Sequence, residues 1–158
     1  MNAILSQEEL IKIREQLAAQ NKKVVFTNGC FDIIHAGHVD YLIKSKRLGD
    51  VLIVAVNSDE SVRRIKGEKR PILKQEERTF IVSNLKPVDY VTVFEEDTPY
   101  EIIKKLVPDI LVKGADWSKD KIVGADIVES RGGKVETIEF VNIQSTSNII
   151  NTILDRYK

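Results

Sequence analysis

Sulfur and imidazole are scarce in this chain of 158 residues, which holds one cysteine (Cys30), one methionine and two histidines. A single cysteine excludes an intrachain disulfide and a cysteine-built metal cage, and it suits a reducing, cytoplasmic setting. Net charge is also missing: 24 Lys and Arg balance 24 Asp and Glu, so no global field favours nucleic acid or an anionic membrane. An anion must then be bound by a local site. No unbroken apolar run approaches the roughly 18–20 residues that cross a bilayer, and no basic, apolar leader opens the chain, so a soluble, unprocessed protein is expected. Internal repeats and low-complexity tracts are absent as well.

What is present fits one domain. The length suits a single core, and 42 % hydrophobic residues are enough to fill it. Short β-branched runs recur at KVVFT (23–27), VLIVAV (51–56), YVTVF (90–94), DILVKG (109–114) and KVETIEF (134–140). Three are nearly continuous in apolar residues, as strands covered on both faces should be. Helical patterns lie between them. SQEE at 6–9 reads as a capping box on Ser6 and Glu9, followed by Leu10, Ile13 and Leu17 on one face. TPYE at 98–101 predicts a second box with Pro99 at the first helical position, and Gly49 and Gly132 mark helix ends. Alternation of strands and helices predicts an α/β fold: a Rossmann-like, doubly wound parallel sheet of about five strands, residues 23–158, behind a helical extension at 1–22.

In such sheets ligands bind outside the carboxyl ends of the strands, where strand order reverses. Both histidines fall there. After the first predicted strand the chain reads NGCFDIIHAGH, then becomes periodic again with Val39, Leu42 and Ile43 as the expected buried face of a helix. His35 and His38 therefore stand at that helix's first turn, where unpaired N–H groups and the dipole attract anions. Residues three apart share a face, and Gly37 between them offers no Cβ to hold a phosphate or base away. Taken alone, a histidine at a helix start is more often a cap or a surface residue. A zinc site would need further ligands that are not nearby.

The segment GCFDIIHAGH resembles the GxFDxxHxGH signature of the HxGH nucleotidyltransferase superfamily, whose members join a phosphate to the α-phosphorus of a nucleoside triphosphate and release pyrophosphate. The similarity runs from about residue 23 to 154. FTNGCFDIIHAGHVDYL, LGDVLIVAVNSD, KGEKRPI, FEEDTP, PDILVKGADW and STSNII follow in the order seen in the adenylyltransferases that make ADP-heptose. A sugar kinase domain is often fused ahead of those enzymes. This length leaves no room for one, so a stand-alone transferase is the expectation.

The resemblance implies roles by position. His35 and His38 would stabilise the transition state and the leaving pyrophosphate, with Lys66 as main phosphate ligand in RRIKGEKRP (63–71) and Arg70 second. Thr27, Asn28, Gly29, Phe31, Gly37 and Gly114 would approach the nucleotide, and Ser145, Thr146 and Ser147 would cradle the β- and γ-phosphates at the start of the last helix. Asp32, Asn57, Asp59, Arg78, Asp116 and Trp117 are the candidate substrate residues: Asp32 and Asp59 for sugar hydroxyls or for positioning cations, Arg78 for the substrate phosphate, and Asp116 and Trp117 for the nucleoside or sugar pocket. Plainer readings stand beside these: the basic run as a solvated surface, the hydroxyls as N-caps, Arg78 as a cap on a neighbouring helix, Trp117 as core filling. ATP and a sugar 1-phosphate are the implied substrates, without nucleic acid or membrane. The triphosphate implies Mg²⁺ held by phosphate oxygens and water, with no cage of protein ligands. Relatives of this size commonly form dimers, which leaves a homodimer open.

Glycerol-3-phosphate cytidylyltransferases are similar over most of this length but read RTxGIST before the hydroxyl motif. Here Phe140 and Val141 hold the Arg and Thr positions and Ile143 replaces the glycine, which favours the heptose reading. Guanylyl transfer stays open, as does a non-catalytic nucleotide-binding module on the same fold.

Overall fold

The computed structural model describes residues 3–118, 121–139 and 145–158. Its elements run β1 (Ala3–Ile4), α1 (Gln7–Ala19), β2 (Val24–Gly29), α2 (Ala36–Lys46), β3 (Val51–Asn57), α3 (Asp59–Lys66) and α4 (Gln75–Ser83). There follow β4 (Tyr90–Phe94), α5 (Tyr100–Leu106), β5 (Ile110–Gly114), α6 (Ala125–Ser130), β6 (Lys134–Ile138) and α7 (Thr146–Arg156). All strand pairs are parallel, in the order β1-β4-β3-β2-β5-β6. The five patterned runs are all strands. The sixth, β1, was hidden because two residues are too short to show a period, and it pairs with β4 through Ala3 and Ile4. Helix α1 is nucleated by the expected box: Glu9 N–H donates to Ser6 Oγ (3.2 Å) and Ser6 N–H to Glu9 Oε2 (2.9 Å).

Strand alternation sorts the core into two layers. Val24, Phe26, Ile53, Leu111 and Val135 face Leu10, Ile102, Ile103 and Val128 of α1, α5 and α6. Val25, Leu52, Val54, Val91 and Val112 face Tyr41, Leu42 and Val82 of α2 and α4. Each fully buried large side chain stabilises the fold by about 1.5–3 kcal/mol. Strand order turns at β2: the chain proceeds to β3 and β4 on one side, then β5 returns to the other. The carboxyl ends of β2 and β5 therefore open a crevice.

Three local expectations are corrected. The buried face of α2 is Tyr41, Leu42 and Ser45 rather than Val39, Leu42 and Ile43, because the Tyr41 hydroxyl lies 2.8 Å from buried Thr27 Oγ1 and turns Ile43 outward. Pro99 is the N-cap of α5, one position earlier than predicted, and no side chain caps that helix. Gly49 lies three residues beyond α2 and ends nothing. A Cβ there would meet Val25 Cγ2 at 2.7 Å and Lys23 O at 2.8 Å, so it permits close passage of two backbones. Gly132 does follow α6 in the left-handed region, at φ 80°. Phe140, Val141 and Ile143, used above against cytidylyl transfer, lie outside the described residues.

Candidate active site

A cavity of about 570 Å³ lies over the ends of β2, β3 and β5. Among the residues proposed from sequence, Asn28, Gly29, Phe31, Asp32, His38, Asn57, Lys66, Arg70, Gly114, Asp116, Trp117, Ser145, Thr146 and Ser147 all line it. They come from six separate stretches of chain. The β2–α2 loop is held in an unusual path, with Phe31 at φ 47°, a conformation that costs a non-glycine residue about 1 kcal/mol or more. That path turns the Phe31 ring toward His38, with centroids 5.4 Å apart.

His35 is the N-cap of α2 but makes no side-chain cap, which removes the capping role considered for it. Its ring lies 3.9 Å from that of His38, although His35 itself is not on the cavity wall. Nδ1 of each imidazole is buried without a hydrogen-bond partner among the described residues. An unmet buried polar atom costs about 1–3 kcal/mol, so the pair holds unspent hydrogen-bonding capacity. Burial pulls the His38 pKa down to about 4, helped by the neighbouring His35, and burial also lowers that of His35. Anionic oxygens entering the cleft would reverse both effects.

The helix α7 delivers its hydroxyls to the same place. Ser145 caps α7 by accepting from Asn148 N–H (3.1 Å), so capping is real, and Thr146 Oγ1 donates to Ile33 O (3.3 Å), tying the helix start to the histidine loop. The plain cap therefore stands at the place where the sequence predicts an anion cradle, on the cavity wall.

Two proposed substrate ligands are placed elsewhere. Arg78 is fully buried and off the cavity wall: its Nη2 donates to Asp59 Oδ1 (2.7 Å), Nη1 to Cys30 O (2.6 Å) and Nε to Leu73 O (3.0 Å). Asp59 is thereby occupied and also lies off the wall. The pair braces the loops after β2 and α3 rather than meeting a ligand. Thr27 and Gly37 are buried outside the wall too, Thr27 because its side chain follows Val25 to the α2 face. Asp32 lines the cleft but is spoken for. It accepts Arg70 Nε (2.5 Å) and the N–H groups of Ile72 and Leu73 (both 2.9 Å). Although burial works to raise its pKa, the Leu73 and Ile72 amides and Arg70 together hold it below the ordinary aspartate value. Asp32 is thus the clamp that presents the Lys66–Arg70 segment to the cavity. Trp117 is half exposed along the cleft and does not fill the core.

The structure adds wall residues that the sequence reading passed over: Cys30, Tyr41, Ile65, Asp97, Thr98, Pro99, Lys113 and Val123. Lys113 is the one with visible chemistry, and its signal was a lone lysine inside the apolar strand ILVKG. Its Nζ donates to Asn28 Oδ1 across the crevice. Burial pulls its pKa down to about 8, against the opposing influence of Asp116 and Cys30.

Among the described residues no three His, Cys, Asp or Glu side chains gather as a metal cage. A cation carried by phosphate oxygens needs only one or two carboxylates. Asp116 lines the cleft and has no hydrogen bond or ion pair among the described residues, so the donor set fits such an ion. Among the described residues, too, no helix is long and apolar enough to cross a membrane.

Comparison with known proteins places this arrangement. The model of the cytidylyltransferase-like family matches residues 26–152. The chain is 52 % identical to the bifunctional protein HldE of Syntrophotalea carbinolica over 98 % of its own length and 33 % of that protein. It is 56 % identical to the protein of the same name from Citrifermentans bemidjiense, over 88 % of this chain and 28 % of the relative. The chain thus spans about a third of the length of the curated relatives it matches. A crystal structure of a lipopolysaccharide core biosynthesis protein from Thermoplasma volcanium superposes with TM-score 0.61 at 32 % identity, over 78 % of this chain and 99 % of that one. A pantoate-beta-alanine ligase from Francisella tularensis, at 16 % identity and TM-score 0.60, covers 93 % of this chain and 69 % of its own, and shares the fold alone.

Proposed function

Because the chain belongs to the cytidylyltransferase-like family, we propose that it transfers the adenylyl group of ATP to a heptose 1-phosphate, giving ADP-heptose and pyrophosphate. One observation carries the reading. His38, Lys66, Arg70 and the three hydroxyl residues of the α7 start, distant in sequence, line a single cavity at the point where strand order reverses. The order of motifs resembling the heptose-1-phosphate adenylyltransferases, and the likeness to a lipopolysaccharide core biosynthesis protein, support the sugar.

In this mechanism a phosphate oxygen of the sugar 1-phosphate attacks the α-phosphorus, a new P–O bond forms, and the bond to the bridging α–β oxygen breaks. The electron pair leaves with pyrophosphate. No covalent intermediate with the protein is needed. His38, with His35 against it, donates to the oxygens that gain charge, and the α7 N–H groups and hydroxyls hold the tail in line. Lys66 and the Asp32-clamped Arg70 neutralise the tail from the side of α3. Asp116 is a wall carboxylate that would hold a Mg²⁺ carried by the triphosphate, and the ion would supply further charge neutralisation on the phosphates. A cytoplasmic setting and a homodimer belong to the same proposal on family resemblance, and sedimentation of the purified chain decides the second.

The test is a panel of ATP, GTP, CTP and UTP, each with Mg²⁺, against heptose 1-phosphate and glycerol 3-phosphate, read as pyrophosphate and product mass. ADP-heptose as the main product is expected. Faster turnover of CTP with glycerol 3-phosphate would replace this reading by cytidylyl transfer, GDP-heptose would change the purine, and binding without pyrophosphate in any pair would make the chain a nucleotide-binding module.

A further inference from the structure

Lys113 has no part in the mechanism above, yet among the described residues it is the one ammonium set into the sheet's end at the crevice. Side-chain alternation fixes where it stands. Along β5, Ile110 and Val112 belong to the core layer beneath α2, and Leu111 belongs to the layer beneath α5 and α6. Lys113 is next in phase with Leu111. Along β2, Asn28 is in phase with Val24 and Phe26 of that same layer, and the hydrogen bond between Lys113 Nζ and Asn28 Oδ1 shows the two side chains meeting there. The histidines ride on α2, whose Tyr41 and Leu42 pack on the opposite face. The cleft therefore spans the strand ends with imidazoles on one side and an ammonium on the other.

In-line displacement imposes the same two-sidedness on the substrates, since the entering and leaving oxygens stand roughly opposite each other across the phosphorus. If pyrophosphate departs over the starts of α2 and α7, the attacker enters from the α5/α6 side. We propose that Lys113, oriented by Asn28, binds the phosphate group of the attacking sugar phosphate on that side; this rests on the transferase reading given above. An ammonium has three donors, and only one is used, by Asn28, among the described residues. The wall beside it suits a sugar: Thr98 and Pro99 precede α5, Val123 precedes α6, and Trp117 offers an exposed ring. An apolar side chain would fill the same position without the cost of enclosing a charge, so a purely structural lysine is the poorer account.

Among the described residues the ionisable groups facing Lys113 are Asp116 on the loop after β5 and Cys30 on the loop after β2. With its pKa lowered to about 8, Lys113 loses its proton as pH rises through that value, and affinity for the sugar phosphate should fall with it. A bound phosphate raises that pKa, so binding above about pH 8 takes up a proton.

The experiment uses the full chain with ATP, Mg²⁺ and heptose 1-phosphate, comparing wild type with Lys113→Met and Lys113→Arg. Wild type must first release pyrophosphate in a sugar-phosphate-dependent manner; without that release the transferase reading fails, and this inference with it. Given turnover, Lys113→Met should raise KM for heptose 1-phosphate by at least ~10-fold, the loss of a charge-assisted hydrogen bond, with KM for ATP within about twofold. Lys113→Arg should recover much of the loss. The wild-type KM for the sugar phosphate should rise above about pH 8, a limb that Lys113→Met lacks. An equal or larger effect on KM for ATP, or an unchanged KM for the sugar phosphate, would overturn the assignment. Should Lys113→Met fail to fold, the wild-type pH limb and Lys113→Arg decide it, and a KM for the sugar phosphate flat across that pH range would overturn it.

Discussion

The His35 and His38 rings lie 3.9 Å apart with their planes tilted by 33°, and only His38 reaches the cavity wall. Two imidazoles so close cannot both carry charge cheaply, and both pKa values are lowered in the free protein. Both shifts favour the neutral rings at neutral pH, and an anion in the cleft would oppose them.

His38→Ala should lower kcat by about 10²–10³, the usual cost of removing one preorganised donor at a site of developing charge. Its buried Nδ1 has no partner to lose among the described residues, so the melting temperature should move by only a few degrees. Turnover and a thermal melt measured on the same preparation check both halves.

The same pair predicts a pH dependence of stability. His38 has a folded pKa of about 4 against an ordinary 6.5, so between those values the unfolded chain binds more protons than the native one. Stability is then full above about pH 6.5 and falls as pH drops toward 4. The direction for His35 is the same. Urea melts across that range should show a shallower acid limb in His38→Gln. With only two histidines, proton NMR should also resolve both rings and show their pKa values rising when ATP is added.

Asp32→Asn tests the clamp. The carboxylate is buried and holds Arg70 at 2.5 Å together with two backbone amides, so removing its charge strands a half-buried guanidinium. A loss of about 3 kcal/mol in unfolding free energy is expected, because breaking one partner of an enclosed pair leaves the other uncompensated. The KM for ATP should rise as well, since the Lys66–Arg70 segment loses its anchor.

Arg78→Ala and Lys66→Ala should separate cleanly. Arg78 is fully buried with three hydrogen bonds, and its loss leaves two carbonyls and Asp59 unsatisfied, for a destabilisation on the order of 3 kcal/mol by denaturant melts. Lys66 is exposed at the end of α3, so its loss should leave the melt unchanged and raise KM for ATP. If Lys66→Ala leaves KM for ATP unmoved, the segment is removed from the site.

Much of this was legible from the residues because its physics is local. Apolar runs of β-branched residues, the Ser6–Glu9 box and the HxGH turn each declare themselves within a few positions, and parallel pairing follows from their alternation. What stayed hidden depends on partners far away in sequence. Nothing near Arg78 says that Asp59 and the Cys30 carbonyl will claim its donors, and nothing near Asp32 says that it will hold Arg70 rather than a sugar hydroxyl.

Residue types and their spacing by themselves determined that a doubly wound sheet would form and that two imidazoles would stand at a helix start beside its switch point. Only the packed chain decided which polar groups remain free for a ligand and which are consumed in bracing loops. It also decided that Lys113 faces the crevice from the side opposite α2. The reason is that a charge's role depends on what surrounds it in space, and burial and pairing are set when β2 and β5, whose Asn28 and Lys113 stand 85 positions apart in sequence, come side by side.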